Sequence, residues 1–378
     1  MNFLKKKFSS YYFHPKIEFP ERFDRREYAF IFFNEDKMYR HISFPSIHSL
    51  ETYLKMNAPA HAYYSSAYYR NPSAGTMKEK EWMGADLIFD LDADHLPNVE
   101  NLSYEETLEK VKLELKKLVS FLTEDFGFSK KDLKIYFSGG RGYHCHVINK
   151  KVLSLDSQER REIVDYVTAT GINLNGIMKE RSIYKERFKD KTFEIYPMEG
   201  GWRGRIAREI IRFFHEIKSM ERGEALSKLM EIEGIGRRTA EEIYNALTED
   251  RLKRIEYGKI DQTTGFKRIA KPLIKKIAVS LHSETDEPVT TDIKRLIRLP
   301  GSLHGKTGLR VTKLEMDDIE NFSPLRDAVA FGEDEVKIKL VKPINIKMME
   351  NEFNLKKGEI KVPEYLAVFL IAKKVATL

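Results

Sequence analysis

The spacing of apolar and polar residues along the chain predicts a mixture of strands and helices. Runs with the length of buried strands occur at residues 28–33, 85–91, 133–137 and 145–148. Apolar residues that recur three or four positions apart indicate core-facing helices at residues 46–56, 104–122 and 362–372. We therefore predict an α/β (α+β) fold that is built around a mixed β-sheet.

The middle of the chain has a more polar pattern. Residues 158–190 are polar and helix-prone. A helix is predicted from Arg205 to about Met220, and two more flank a glycine-containing turn between Ala225 and Thr248. We interpret residues 206–262 as a helical insert. It would interrupt a discontinuous main domain that consists of residues 1–205 and 263–378.

One segment of this insert resembles the helix-hairpin-helix motif. Two predicted helices flank the sequence Glu233-Gly-Ile-Gly-Arg-Arg-Thr239. In that motif a glycine hairpin turns backbone amides toward a DNA phosphate, a contact that positions nucleic acid without reading its bases. The residues concerned here would be Gly234, Gly236, Arg237 and Arg238. A plain turn between two helices explains the same spacing equally well.

The strand-like run at residues 85–91 carries two carboxylates. Because side chains alternate along a strand, Asp90 and Asp92 lie on one face, with β-carbons about 7 Å apart. Their oxygens could then converge on a shared pair of divalent cations, which lie roughly 3.5–4 Å apart in two-metal sites. An isolated pair of this kind is more often a solvated acidic turn, so the other segments decide its meaning.

The second segment is a glycine-rich turn between two predicted strands, Ser138-Gly-Gly-Arg-Gly-Tyr-His144. Its three glycines permit positive φ and close approach of backbone amides to an anion. Ser138, Arg141 and His144 add side-chain donors for phosphate oxygens. An ordinary glycine-rich hairpin explains the glycines but not the arginine and histidine beside them.

The third segment, residues 285–308, combines acidic and basic groups. Asp286 and Asp292 precede a predicted helix with a basic face, formed by Lys294, Arg295 and Arg298. A Pro-Gly turn follows, with His304 and Lys306. The segment could place a cation-binding carboxylate next to phosphate-binding groups. A capped surface helix and a loop with solvated charges remain an alternative.

Composition narrows the class of protein. A net charge of +7 and a pI near 9.0 favour a polyanionic partner. The single cysteine, Cys145, excludes an internal disulfide, a cysteine-rich zinc site and an iron–sulfur cluster held by this chain alone. The basic N-terminus lacks an apolar stretch behind it, and no apolar run could span a bilayer. We expect a cytoplasmic protein with no membrane association.

Together these segments resemble the catalytic (small) subunit of the archaeal and eukaryotic DNA primase, in its archaeal form. The resemblance rests on Phe-Asp-Leu-Asp-Ala-Asp-His, Ser-Gly-Gly-Arg-Gly-Tyr-His, Leu-Pro-Gly-Ser-Leu-His-Gly-Lys-Thr-Gly and Val-Pro-Glu-Tyr-Leu-Ala-Val-Phe-Leu, in this order. It implies that Asp90, Asp92 and Asp286 are catalytic residues that bind metal. The family's third carboxylate precedes its His-x-Lys segment by 18 positions, which selects Asp286. Asp292 is then interpreted as the cap of the basic helix.

The resemblance also implies the remaining components of the enzyme. A nucleoside triphosphate would contact Ser138, Arg141, His144, His304 and Lys306. Two Mg²⁺ or Mn²⁺ ions would be the cofactors, single-stranded DNA the template, and a large subunit with an iron–sulfur cluster the partner in a heterodimer. Members of this family commonly carry a zinc-binding insertion after the acidic strand. Residues 95–105 contain no cysteine, so no zinc is expected.

The predicted function is template-directed synthesis of short primers for DNA replication by two-metal-ion nucleotidyl transfer. Two alternatives remain open at this point. Acidic clusters also occur in two-metal nucleases and repair-type polymerases. The chain could also be a non-catalytic nucleic-acid-binding module with a degenerate site.

Overall fold

A computed structural model of the chain describes residues 3–97, 99–185, 188–261 and 263–378. The helices are α1 Phe3–Tyr12, α2 Ile47–Asn57, α3 Met77–Lys80, α4 Tyr104–Ser120, α5 Ser157–Val167, α6 Gly201–Ser219, α7 Arg222–Met230, α8 Arg237–Ala246, α9 Glu249–Glu256, α10 Thr264–Leu281, α11 Glu287–Thr291, α12 Pro324–Asp327 and α13 Glu364–Ala372. Across these described ranges, no helix is both long and apolar enough to cross a lipid bilayer.

The strands are β1 Tyr28–Ile31, β2 Met38–Ile42, β3 His61–Ser65, β4 Ala67–Tyr69, β5 Trp82–Ala85, β6 Leu87–Asp92, β7 Leu133–Phe137, β8 Gly142–Val147, β9 Lys179–Lys185, β10 Phe188–Glu194, β11 Lys259–Asp261, β12 Leu296–Arg298, β13 Thr312–Leu314, β14 Glu335–Leu340, β15 Ile344–Met348, β16 Asn351–Leu355, β17 Gly358–Pro363 and β18 Ala376–Thr377. They form several small sheets. The predicted α+β class is confirmed. Where the described strands pair they are antiparallel, so the sheets differ from the single mixed sheet expected.

The chain divides into two compact units. The first contains Met1–Val119, Phe128–Val164 and Glu284–Leu378, and the second contains Ser120–Gly127 and Asp165–Ser283. The predicted insert, 206–262, falls within the second unit, which begins before residue 206 and ends after residue 262. Residue 262 itself lies outside the described residues. The second unit includes helices α6 to α10 and the sheet β11-β10-β9.

Two four-stranded sheets of the first unit carry the candidate site. One has the strand order β12-β3-β1-β2 and the other β13-β7-β8-β6. In the second sheet, β8 lies between β6 and β7, with Asp90 opposite His144 and Asp92 opposite Gly142. The acidic strand and the strand that follows the glycine-rich turn are therefore direct neighbours.

An aromatic and aliphatic core fixes the loops around these sheets. Phe8, Phe30 and Leu50 of α1, β1 and α2 are fully buried in one cluster. The same cluster contains Ile88 of the acidic strand and Leu303 of the loop that bears His304. Burying such side chains contributes about 1.5–3 kcal/mol each. The segments that carry the candidate chemistry are thus held by core residues within them.

A buried ion pair fixes the start of β6. The Arg26 guanidinium lies 2.6 Å from the Asp86 carboxylate, and both side chains are 1% exposed. Asp86 also accepts a hydrogen bond from the Tyr68 hydroxyl at 2.6 Å, and Arg160 donates to the Asp86 carbonyl at 2.8 Å. Each charge is therefore satisfied, and removal of one partner would cost about 3–5 kcal/mol.

Two helix predictions are wrong. In the polar run 158–190, helix α5 ends at Val167, and Ala169 and Gly171 beyond it take positive φ. Strands β9 and β10, which pair with each other, follow; residues 186 and 187 lie outside the described residues. Pairing with β10 and β11 overrides local helix preference there. The basic helix predicted after Asp292 is a turn followed by β12. Ile297 is buried when β12 pairs with β3, which only the tertiary structure determines.

Candidate active site

The acidic strand places two carboxylates on one face of β6. Asp90 and Asp92 are separated by the buried Leu91, as strand alternation predicts. The Asp90 side chain is 20% exposed, and its Oδ1 lies 3.5 Å from His144 Nε2 on the neighbouring strand. The Asp92 carboxylate accepts a hydrogen bond from the Asp94 backbone amide at 3.2 Å. Both residues are therefore partly exposed.

The segment that carries the third carboxylate, Asp286, is hydrogen-bonded to the main chain of this strand. The Asp286 amide donates to the Asp90 carbonyl oxygen at 2.9 Å, and the Thr285 hydroxyl donates to the same oxygen at 3.2 Å. Thr285 and Asp90 are 195 positions apart in sequence. Asp286 then directly precedes helix α11. Asp292 follows that helix and accepts from the Lys294 amide at 2.9 Å, so it caps a turn rather than the predicted helix.

The three carboxylates interact electrostatically. Burial, together with the negative charges of Asp92 and Asp286, raises the pKa of the Asp90 carboxyl to about 7. The positive charges of Arg295 and Arg298 oppose this effect only in part. Mutual repulsion of this kind is relieved by protonation or by a cation.

The chemistry of these donors fits hard divalent cations, which take carboxylate oxygens as ligands. In the part of the chain that the structure describes, however, no group of three or more His, Cys, Asp or Glu side chains is arranged to hold an ion as it stands. The carboxylates would have to reorient their side chains on a fixed backbone. The affinity of carboxylate oxygens for divalent cations, together with their mutual repulsion, would favour such a reorientation around a bound ion.

The glycine-rich turn is shaped by Ser138. Its hydroxyl accepts hydrogen bonds from the amides of Gly140 and Gly142 at 3.2 and 3.3 Å. A β-carbon on Gly142 would lie 2.4 Å from the Leu91 carbonyl oxygen, so only glycine permits β8 to start so close to β6. Gly139 has a φ of 76°, in the left-handed region that glycine tolerates. The turn is thus tightly fitted against the acidic strand.

The loop that carries His304 packs against this turn. The Thr307 hydroxyl donates to the Gly139 carbonyl at 2.5 Å, and a β-carbon on Gly139 would meet the His304 β-carbon at 2.8 Å. His304 Nδ1 accepts from the Lys306 amide at 3.3 Å, which leaves the hydrogen on Nε2. His304 is buried, whereas Lys306 is exposed. The two predicted parts of the nucleotide site therefore form one surface.

The histidines of the site are neutral. Burial and then the charges of Arg298 and Arg295 lower the pKa of His144 to about 3. Burial and the Arg298 charge also lower the pKa of His304 well below its usual value, and lower that of His61 to about 3. A neutral imidazole can still donate one hydrogen bond to an oxygen. The histidines thus supply directional donors, while positive charge must come from arginine and lysine.

Arg141 lies outside the buried part of the turn. Its guanidinium forms an ion pair with Asp94, and the two side chains are 43% and 66% exposed. Such exposed pairs contribute about 0–1 kcal/mol. A phosphate group could therefore replace Asp94 as the partner of Arg141 at little energetic cost.

Two residues of the site were missed or misplaced by sequence reasoning. Arg298 was placed on a helical face, but it lies on β12, 4.8 Å from the Tyr63 ring centroid and in contact with His61. Its charge acts on Asp90, His144 and His304. The sequence indicated only weakly that Arg298 belongs to the site, through its closeness to the Pro-Gly turn. It gave no such indication for His61, because a lone histidine before two tyrosines is uninformative.

The raised pKa of Asp90 predicts a specific effect of pH on stability. An acid whose pKa rises on folding stabilises the folded state below its unfolded pKa, and that contribution is lost as pH rises through the folded pKa. Without divalent cations, the wild-type protein should lose about 2–4 kcal/mol from this group between pH 4 and about 7. Asp90→Asn should lack this loss. Urea unfolding of both proteins in a chelator measures the difference, which should grow to about pH 7 and then level off; a difference independent of pH would contradict the interpretation.

Known proteins align with this chain over nearly its whole length. The sequence model of the DNA primase small subunit family matches residues 89–316. The DNA primase small subunit PriS of Methanococcoides burtonii is 42% identical, and the alignment covers 99% of this chain and 97% of that protein. The PriS proteins of Methanothrix thermoacetophila and Archaeoglobus fulgidus are 41% and 42% identical, each over 98% of this chain and over 97% and 96% of their own lengths.

The family match spans the acidic strand, the glycine-rich turn and the loop with His304, which the structure brings together. The relatives named above are archaeal, and primases act in DNA replication as enzymes of the nucleotidyltransferase type. Neither alternative, a two-metal nuclease or repair-type polymerase on one hand and a non-catalytic binding module on the other, has a match in its favour among these relatives. The chain belongs to the DNA primase small subunit family and has the role of the catalytic subunit of an archaeal DNA primase.

Proposed function

We propose that this primase subunit joins nucleoside triphosphates into short primers on single-stranded DNA, with Asp90, Asp92 and Asp286 as its catalytic carboxylates. The observation that carries the proposal is the pair of hydrogen bonds from the Thr285–Asp286 segment to the Asp90 carbonyl. They bring together carboxylates from remote parts of the chain. Two Mg²⁺ or Mn²⁺ ions would be held by these three residues.

The second part of the proposal concerns the triphosphate of the incoming nucleotide. Arg141 and Lys306 are exposed and carry charge, so they would pair with the β- and γ-phosphates. His304 and His144 would donate neutral hydrogen bonds. Ser138 would act mainly through the turn, since its hydroxyl is already bonded to two amides. The pocket would thus combine a rigid backbone with mobile cations.

Nucleotidyl transfer is an in-line displacement at the α-phosphorus, for which positioning and charge stabilisation supply most of the catalysis. When bound, the divalent cations would lower the pKa of the attacking 3′-hydroxyl and neutralise the leaving pyrophosphate. The hydrogen bonds from Thr285 and Asp286 to the Asp90 carbonyl hold the backbone of the carboxylates in position. The Lys306 amide bonds to Nδ1 of His304 and so keeps the proton of this imidazole on Nε2. Arg298 offsets part of the negative charge at Asp90 before substrate arrives.

Other aspects of the assembly are also proposed. A heterodimer with an iron–sulfur large subunit follows from the family, and extension with deoxynucleotides is a further possible activity of the same site. A cytoplasmic location agrees with the single, buried Cys145, which suits a reducing compartment. The two alternatives, a nuclease or a repair-type polymerase on one hand and a non-catalytic module on the other, have no specific observation that favours them.

The helix-hairpin-helix-like segment is proposed to bind the DNA backbone. Helices α7 and α8 are joined by a hairpin in which Gly234 has a φ of 77° and Gly236 precedes α8 without a side-chain cap. The first amides of α8 are therefore not bonded to a capping side chain. The side chains of Arg237 and Arg238 beside them are 79% and 95% exposed. This arrangement suits a phosphate group.

The catalytic proposal predicts that Asp90→Asn abolishes primer synthesis and leaves the fold intact, because it removes a carboxylate charge and keeps the shape. The assay incubates the protein with labelled nucleoside triphosphates, Mn²⁺ and an unprimed single-stranded template. Asp292→Asn is the matched control and should retain near wild-type synthesis, since that carboxylate caps a turn.

The products of this assay also separate the alternatives. New oligomers indicate a primase, shortening of the template indicates a nuclease, and extension of a supplied primer alone indicates an ordinary polymerase. Near wild-type synthesis by Asp90→Asn would remove Asp90 from the catalytic set.

The hairpin proposal predicts weaker and less salt-dependent DNA binding when its charges are removed. The double variant Arg237→Gln/Arg238→Gln should reduce the salt slope of single-stranded DNA affinity by about 0.7 for each lost phosphate contact. The control Lys218→Gln/Lys253→Gln removes two exposed charges from α6 and α9 of the same unit. If both variants change binding equally, the hairpin has only a structural role.

A further inference from the structure

The C-terminal end of helix α13 places a lysine beside the glycine-rich turn. The Lys373 ammonium lies 4.9 Å from the centroid of the Tyr104 ring and 5.8 Å from that of Phe369. Tyr104 in turn donates a hydrogen bond from its hydroxyl to the Gly140 carbonyl oxygen. Cation–π contacts thus hold Lys373 next to the residue that supports the turn.

The charge of Lys373 has no carboxylate partner among the described residues. The side chain is half-buried, and burial followed by the charge of Arg141 lowers its pKa, while Asp92 opposes this effect. Its charge also acts on His304. The Lys373 ammonium therefore interacts electrostatically with Arg141 and His304, and its charge could be neutralised by an anion bound beside them.

Lys373 also faces open space. Together with Tyr104, Ser103 and Lys342 it lines a cavity of about 800 Å³ in the first unit. An anion can therefore reach the ammonium group, which a lysine packed wholly within the core would not allow. The residues that line this cavity do not include those of the proposed nucleotide site. Lys373 is related to that site through Tyr104, which is bonded to Gly140, and through its electrostatic interactions with Arg141 and His304.

We propose that Lys373 is a further phosphate-binding residue, which contacts the triphosphate tail of the nucleotide together with Arg141 and Lys306. This inference rests on the proposed nucleotide site. It adds a cation from the last helix of the chain to groups supplied by the turn and the loop. A contact with the β- or γ-phosphate would let Lys373 discriminate nucleoside triphosphates from monophosphates, which lack those groups.

The test measures equilibrium binding to the full chain of inorganic tripolyphosphate, which has no base or sugar, and of a nucleoside monophosphate. Lys373→Met keeps the aliphatic stem against Tyr104 and removes the charge. It should weaken tripolyphosphate binding about tenfold, as expected for loss of one charge-assisted hydrogen bond, and leave monophosphate binding unchanged. Lys373→Arg should retain most of the affinity.

Lys374→Met is the matched control, because Lys374 is adjacent and exposed. It should bind both ligands as the wild-type protein does. Wild-type tripolyphosphate affinity in Lys373→Met, or an equal loss for both ligands, would overturn the inference. The proposed function is judged separately by Asp90→Asn in the primer assay, so a failure here is distinguishable from a failure there.

Discussion

The hydrogen bonds from Thr285 and Asp286 to the Asp90 carbonyl connect the segment that carries the third carboxylate to the acidic strand β6. Both hydrogen bonds are accepted by a backbone oxygen, so they fix the position of Asp286 without using its side chain. The buried Arg26–Asp86 pair secures the same strand four residues earlier. Because both ends of β6 are fixed, the repulsion between its carboxylates cannot be relieved by movement of the strand. Burial, and then the charges of Asp92 and Asp286, raise the pKa of Asp90, and a proton or a bound cation would relieve this repulsion.

A second constraint is steric and joins the turn to the His304 loop. Gly142 permits β8 to start against Leu91, and Gly139 permits the loop to approach the turn closely. Thr307 then links them by a hydrogen bond to the Gly139 carbonyl. The result is a rigid surface with neutral histidines, bordered by exposed or half-buried cations. A rigid surface of neutral donors bordered by cations suits a phosphate site, where fixed donors orient the ligand and mobile charges accommodate it.

Local patterns were sufficient to predict the acidic strand, the strands around the glycine-rich turn and helix α4. They were insufficient where long-range pairing decides the structure. The residues around Arg298 read as a basic helix, but burial of Ile297 against β3 makes them a strand. The low pKa of His144 likewise depends on its burial and on the charge of Arg298, which is remote in sequence. The grouping of the three carboxylates was expected only from the family resemblance, since no spacing rule joins residues so far apart.

We propose that Asp286 completes a cation site begun by Asp90 and Asp92. The most direct test of this proposal is a count of Mn²⁺ ions bound per chain, from the loss of the free-ion electron paramagnetic resonance signal during titration. The wild-type protein and Asp292→Asn should each bind about two ions, as in two-metal sites. Asp286→Asn should lose at least one of them. Equal binding of Mn²⁺ by Asp286→Asn and the wild-type protein would contradict the account.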